Sequence, residues 1–184
     1  MPGSFPVFTR LHSPMLMFNR AAAMACVLGL AACATDPSSS ALEPIRLDLS
    51  IAASSGVNPD DEKRAAPIVV RIYELKNADA FNSADFFSLQ EKDKAMLADD
   101  LVVREQFQLR PGEEKAIRRN ANQATTTLGV IAAYRDLPNS VWRATWTLPP
   151  SPSAAWYHRG PKVKLTIDLD ANAIKITDAQ PKNK

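Results

Sequence analysis

The chain has 184 residues, with 22 Lys plus Arg against 20 Asp plus Glu, two cysteines and two histidines. That length accommodates a leader and one domain of ordinary size. So few thiols exclude a disulfide-rich scaffold, and so balanced a charge excludes the strongly basic footprint of a nucleic-acid binder.

Residues 21–32, AAAMACVLGLAA, form a run of 12 apolar or small side chains. A membrane-spanning helix needs about 20. The run instead fits the apolar region of a secretory signal peptide, with Arg10 and Arg20 as its positive flank and no acid before Asp36. Met1, Met15 and Met17 are equally good starts. Leu30, Ala31, Ala32 and Cys33 have the form of a bacterial lipoprotein box. Small side chains before the cysteine suit an extended backbone in a protease groove. Only a thiol takes a thioether-linked diacylglycerol. Cleavage is therefore expected before Cys33, with covalent lipid on Cys33. Cys26 leaves with the leader, so no thiol remains for a disulfide, a metal or a nucleophile. In lipoproteins an aspartate after the lipidated cysteine commonly retains the inner membrane address. Ala34 stands there instead and favours transfer to the outer membrane.

The expected division is a removed signal peptide over 1–32, a lipidated cysteine and tether over 33–42, and a folded domain over 43–184. Loss of Arg10 and Arg20 leaves 20 basic residues against 20 acidic ones, a mature net charge of zero. Zero net charge points neither to nucleic acid nor to a polybasic membrane patch.

From Glu43 the pattern alternates. Ile45, Leu47, Leu49 and Ile51 share one face of an extended chain; Arg46, Asp48 and Ser50 share the other. Residues 54–66, SSGVNPDDEKRAA, interrupt it with Gly56, Asn58-Pro59 and a charge run. A second strand follows in PIVVRIYELK, with Ile68, Val70 and Ile72 on one face. Arg71 and Tyr73 lie on the opposite face and are expected at the surface or sheet edge. Residues 82–99 change period and predict a small helical insertion, capped at Asn82 or Ser83, with Phe86, Phe87 and Leu89 inward. Asp93 would cap a further turn holding Met96 and Leu97. Six further strands are expected in VVREQFQL, EKAIRR, TTTLGVIAAYR, VWRATWTL, VKLTIDL and AIKIT, punctuated by turn residues. About eight short strands so spaced predict a mainly β, two-sheet antiparallel sandwich.

Few residues speak for catalysis. His158 is the one histidine left after the leader, and no Gly-x-Ser-x-Gly elbow or histidine pair accompanies it. Asp99 and Asp100 are adjacent, and neighbours on an extended chain point apart. Asp60, Asp61 and Glu62 lack the spacing of a calcium loop and sit beside Lys63 and Arg64. Trp142 and Trp146 share a strand face with Ala144 and are expected in the core. Residues 149–161, PPSPSAAWYHRGP, fit no pattern.

Several runs together resemble the TssJ (SciN, VasD) lipoproteins of type VI secretion systems. They are PIVVRIYELK from Pro67, ADFFSL from Ala84, LRPG from Leu109, GVIAAYRD from Gly129, and Trp142-Arg143. Their order and spacing fit, and so does the lipoprotein box. With so few catalytic signals in the residues, no enzymatic activity, no cofactor beyond the lipid on Cys33 and no small-molecule substrate are expected. The resemblance implies a transthyretin-like sandwich with a helical insertion. It places the protein on the periplasmic face of the outer membrane, bound to the periplasmic C-terminal domain of TssM. In the family the loop between the first two strands contributes to that contact. In this chain the loop is residues 54–66, with Asn58, Pro59, Asp60, Asp61, Glu62, Lys63 and Arg64 as the projecting segment. The alternative is a periplasmic lipoprotein that binds a small ligand or glycan, or a weakly marked hydrolase. A deep pocket with convergent polar groups would favour that alternative. A filled sandwich with a projecting loop would favour the first reading.

Overall fold

The computed structural model describes residues 42–152 and 160–180. Cys33, most of the expected tether and His158 lie outside the described residues. Eight strands form two four-stranded sheets. One holds β1 (Arg46–Ala53), β4 (Glu114–Asn120), β7 (Lys162–Leu169) and β8 (Ile174–Asp178), in the order β4-β1-β7-β8. The other holds β2 (Ile68–Leu75), β3 (Leu101–Leu109), β5 (Thr127–Ala132) and β6 (Arg143–Thr147), in the order β3-β2-β5-β6.

Apart from an isolated parallel bridge that joins Val141 to Ala173, all pairs among the described strands are antiparallel except β1 and β7, which run parallel with Leu47 opposite Val163 and Ile51 opposite Ile167. The reason is topological. Each strand reverses the direction of the one before it. Two odd-numbered strands brought side by side must therefore run the same way.

Between the sheets the alternation in β1 sends Ile45, Leu47, Leu49, Ile51 and Ala53 inward. They meet Val163, Leu165, Ile167 and Leu169 of β7, and Ile68, Val70 and Ile72 of β2, all buried. Trp142, Ala144 and Trp146 pack against this core, as their shared face predicts.

A second core lies on the outer face of the β2 sheet. The insertion comprises α1 (Asp79–Ser83), α2 (Phe86–Leu97) and a single turn at Ala98–Asp100. It lays Phe81, Phe86, Leu89 and Leu97 over Tyr73, Leu75 and Ile131. Its start precedes the predicted one, and Asp85 rather than Ser83 caps α2, accepting from the Ser88 amide at 3.0 Å. Phe87 is 62% exposed, because the helical step of about 100° turns it away from the face that Phe86 buries.

Tyr73 is fully buried under this insertion, contrary to its predicted surface position, and Arg71 is largely covered. Both are satisfied there. Arg71 donates to the carbonyls of Leu89 and Gln90 at 3.0 and 2.7 Å. Asp93, itself buried, pairs with Arg71 at 3.3 Å and Arg104 at 2.9 Å and accepts from the Tyr73 hydroxyl at 3.2 Å. The helix breaks its regular backbone at Lys92, just before Asp93 turns to this cluster. From the other side Arg143 donates to the carbonyls of Phe81 and Ala84, both at 2.8 Å, closing the end of α1. Glu74, also fully buried, pairs with Arg119 of the opposite sheet and accepts from the Asn122 amide and the Thr125 hydroxyl.

Gly129 makes room for this second core. A Cβ there would stand 2.8 Å from the buried ring of Phe81, which also packs 5.4 Å from the Tyr73 ring. Gly129→Ala must push that ring aside. It is expected to lower unfolding stability by about 1–3 kcal/mol, read by urea denaturation.

Candidate functional site

The loop between β1 and β2, residues 54–66, is held at its root and open at its tip. Val57 and Asn58 are buried. Asn58 adopts a left-handed backbone, φ 52°, which asparagine tolerates better than most residues. Its amide donates to the Ala171 carbonyl at 3.0 Å. Its side chain donates to the Pro67 carbonyl at 2.9 Å and accepts from the Arg135 amide at 2.8 Å. One side chain thus joins the loop to the start of β2 and the segment after β5, while its backbone reaches the β7–β8 turn. This corrects the expectation that Asn58 projects: it is the loop's internal anchor.

Beyond it Pro59 and Asp60 are half-buried, and Asp61, Glu62, Lys63 and Arg64 are exposed. Asp60 shapes the tip. Its Oδ1 accepts from the amides of Glu62 and Arg64 at 3.0 and 2.9 Å, and its Oδ2 from Arg64 Nε at 2.8 Å. Backbone bonds from Asp60 to Arg64 and from Lys63 to Asp60 close the turn. Arg64 also reaches Glu62 at 2.9 Å. The Asp60 carboxylate is thereby committed to its own loop and is not free for a cation. Among the described residues no three His, Cys, Asp or Glu side chains gather as metal ligands.

Beside the tip runs a groove of about 590 Å³, lined by Asn58, Pro59, Asp60, Tyr134, Asp136 and Asn172 among others. Its far wall is braced by Asp136 accepting from Asn139 and by Asn172 donating to the Asn139 carbonyl. Tyr134 is 5% exposed and its hydroxyl has no partner among the described residues. Burial, with Asp170 nearby, pushes that phenol above its ordinary range, so it keeps its proton. Tyr134, Asp136 and Asn172 carry no sequence signal that marks them for this groove. Nothing local in these residues announces that three separate turns meet. Asp99 and Asp100 stay on the turn after α2 and join no other carboxylate in the groove.

A filled eight-stranded sandwich with an insertion on one sheet and a built loop at one end defines a transthyretin-like module. A family model, type VI secretion lipoprotein (VasD, EvfM, TssJ), matches residues 45–172, and the chain belongs to that family. It is similar to the type VI lipoprotein TssJ1 of Pseudomonas aeruginosa, with 37% identity and a TM-score of 0.68, covering 76% of this chain and 99% of that one. It is also similar to Lip of Serratia marcescens, described as a membrane-bound component of the type VI secretion system. That match has 29% identity and a TM-score of 0.67, covering 75% of this chain and 99% of that one. A chain of a structure described as a type VI membrane complex shares the fold at 24% identity and a TM-score of 0.60, over 74% of this chain and 99% of that one. No curated protein matches the chain.

The tip carries its own pH dependence. The Asp60 carboxyl lies below its ordinary value of 3.8, chiefly through the Arg64 amide and then the Arg64 side chain. An unfolded tip takes up this proton before the folded one does. The contribution is whole above 3.8 and is lost as pH falls through the lower folded value. The amide resonances of Glu62 and Arg64 are expected to hold their positions from neutral pH down to the ordinary aspartate range. They should move together only below it, and Asp60→Asn should abolish that transition.

Proposed function

We propose that this type VI secretion lipoprotein is a non-catalytic anchor. Lipid on Cys33 holds it to the periplasmic face of the outer membrane. The loop of residues 54–66 binds the periplasmic C-terminal domain of TssM. The observation that carries this reading is the loop itself. The connection of which it is part has 14 residues between Ala53 and Ile68, where connections between elements are usually about 4–6. Yet Asn58 ties its root and Asp60 its tip, so its charged end is displayed in one shape. A segment ordered beforehand loses less conformational freedom on binding. The occurrence of the fold in a type VI membrane complex supports the same assembly role. The exposed acids and bases of Asp61, Glu62, Lys63 and Arg64 would steer and orient the partner more than supply raw affinity. No metal, cofactor or small-molecule substrate enters this function.

The test must spare Asn58. Replacing residues 59–64 with a short Gly-Ser turn should leave the circular dichroism spectrum and melting temperature nearly unchanged. Loop-closure entropy varies slowly with length. Affinity for the purified TssM domain, by calorimetry, should fall at least about tenfold, or 1.4 kcal/mol. A well-folded variant that binds at full strength would remove the loop from the contact.

The anchor is tested separately. Cys33→Ser should leave the protein absent from outer-membrane fractions with secretion lost, while the sandwich still folds. Ala34→Asp should move much of the protein to the inner membrane.

A further inference from the structure

The outer face of the β1 sheet has two unlike halves. Register places Arg46 beside Lys162, and Asp48 between Arg118 and Lys164. Arg46, Arg118, Lys162 and Lys164 are all exposed. Neighbouring strands lie about 4.8 Å apart, and alternate residues along a strand about 6.7 Å. Four cations from three strands therefore share a patch roughly 15 Å across. Among the described residues Asp48 is the acid at its centre, held by Arg118 at 3.2 Å and Lys162 at 2.8 Å. Arg46 and Lys164 have no ion-pair partner among the described residues, so the patch keeps an excess of positive charge. A shallow groove of about 220 Å³ runs through it, lined by Arg46, Asp48, Arg118, Asn120 and Lys162. The other half of the same face, at the loop end, carries Glu114, Asp168 and Lys175 around Ala52.

The cations lie at the end of β1 where the chain arrives. Thirteen peptide steps separate Arg46 from Cys33, a reach of at most roughly 45 Å. We propose that Arg46, Arg118, Lys162 and Lys164 form a docking surface for the phosphate headgroups of anionic phospholipids in the membrane that the Cys33 lipid occupies. The proposal rests on the reading of Cys33 as the anchor. Attraction of this kind acts within a Debye length of about 8 Å. A lipid tether supplies the closeness that so short a range requires. Docking would turn the opposite end of the sandwich, with the loop of residues 54–66, away from the bilayer. The zero net charge of the mature chain conceals the patch, because its members are far apart in sequence and meet only through strand register.

The test uses the mature chain purified from membranes, whose lipidated Cys33 leaves an introduced cysteine as the one free thiol. A fluorophore is placed at Asn120→Cys beside the patch, or at Ser55→Cys at the loop end. Energy transfer to a headgroup-labelled lipid is then compared in phosphatidylcholine vesicles with and without about 30% phosphatidylglycerol. The Asn120→Cys label should approach the bilayer only with phosphatidylglycerol. It should retreat at about 0.5 M salt, and in Arg46→Gln/Lys164→Gln. The Ser55→Cys label should never approach. Unchanged melting of the double variant certifies its fold. Equal transfer from Asn120→Cys in both vesicle types, or transfer indifferent to the double substitution, would overturn the proposal.

Flotation with pure phosphatidylcholine vesicles reads the anchor alone. A chain that does not float there has lost the Cys33 reading, and the patch is then judged by flotation with phosphatidylglycerol. Retention that weakens about twenty-five-fold in the double variant, at about fivefold per charge, supports the patch. No retention overturns it.

Discussion

The two-residue alternation of β1 is the constraint on which the rest of the molecule depends. Its apolar set, Ile45, Leu47, Leu49 and Ile51, is buried without exception. A register slip of one residue would carry that whole set into water. Pairing on both sides is therefore fixed: seven positions with β4 and eight with β7. The same alternation delivers Arg46 and Asp48 to the outer face beside Lys162, Lys164 and Arg118. A single strand thus writes the core on one side and the charged surface on the other.

β2 obeys a harsher rule because both of its faces are covered. Ile68, Val70 and Ile72 face the sandwich interior, while Arg71 and Tyr73 face the insertion. Polar groups in such a place need partners, since an unpaired buried charge costs several kcal/mol, on the order of 3–5. Arg71, Tyr73 and Arg104 find theirs in Asp93 and in helix carbonyls. Glu74 finds Arg119 across the sandwich. Such pairs add little over well-packed apolar groups of the same size. Their consequence is positional: they fix which sheet the insertion covers, and so leave the outer face of the β1 sheet open.

The strands were legible because a half-buried strand advertises its period in the sequence. β1 and β7 do so plainly, and the turn residues between strands supplied the punctuation. What stayed hidden was everything that depends on a second element arriving from elsewhere. Tyr73 and Arg71 read as outward-facing because nothing near them says that residues 79–100 will fold back over them. Asn58 sits inside a polar run and reads as one more solvated residue. Its burial depends on Pro67, Arg135 and Ala171, each supplied by a different connection. The parallel pairing of β1 with β7 is likewise a property of the strand order, not of either strand's composition.

The placement of the two proposed attachments has a mechanical consequence. The tether joins the start of β1, and the loop of residues 54–66 leaves its end. Only Arg46–Ala53, roughly 25 Å of extended chain, separates the two. A pull between those two attachments would therefore travel along the covalent backbone of one strand. It need not be passed from strand to strand through hydrogen bonds, which in shear would be the weaker path. The bonds of β1 to β4 and β7 serve instead to keep that strand buried and straight. Asn58 would spread whatever load reaches the loop root onto Pro67, Arg135 and Ala171. In a protein whose proposed task is to hold rather than to react, the shortest covalent route between its two grips is also the one that asks least of the fold.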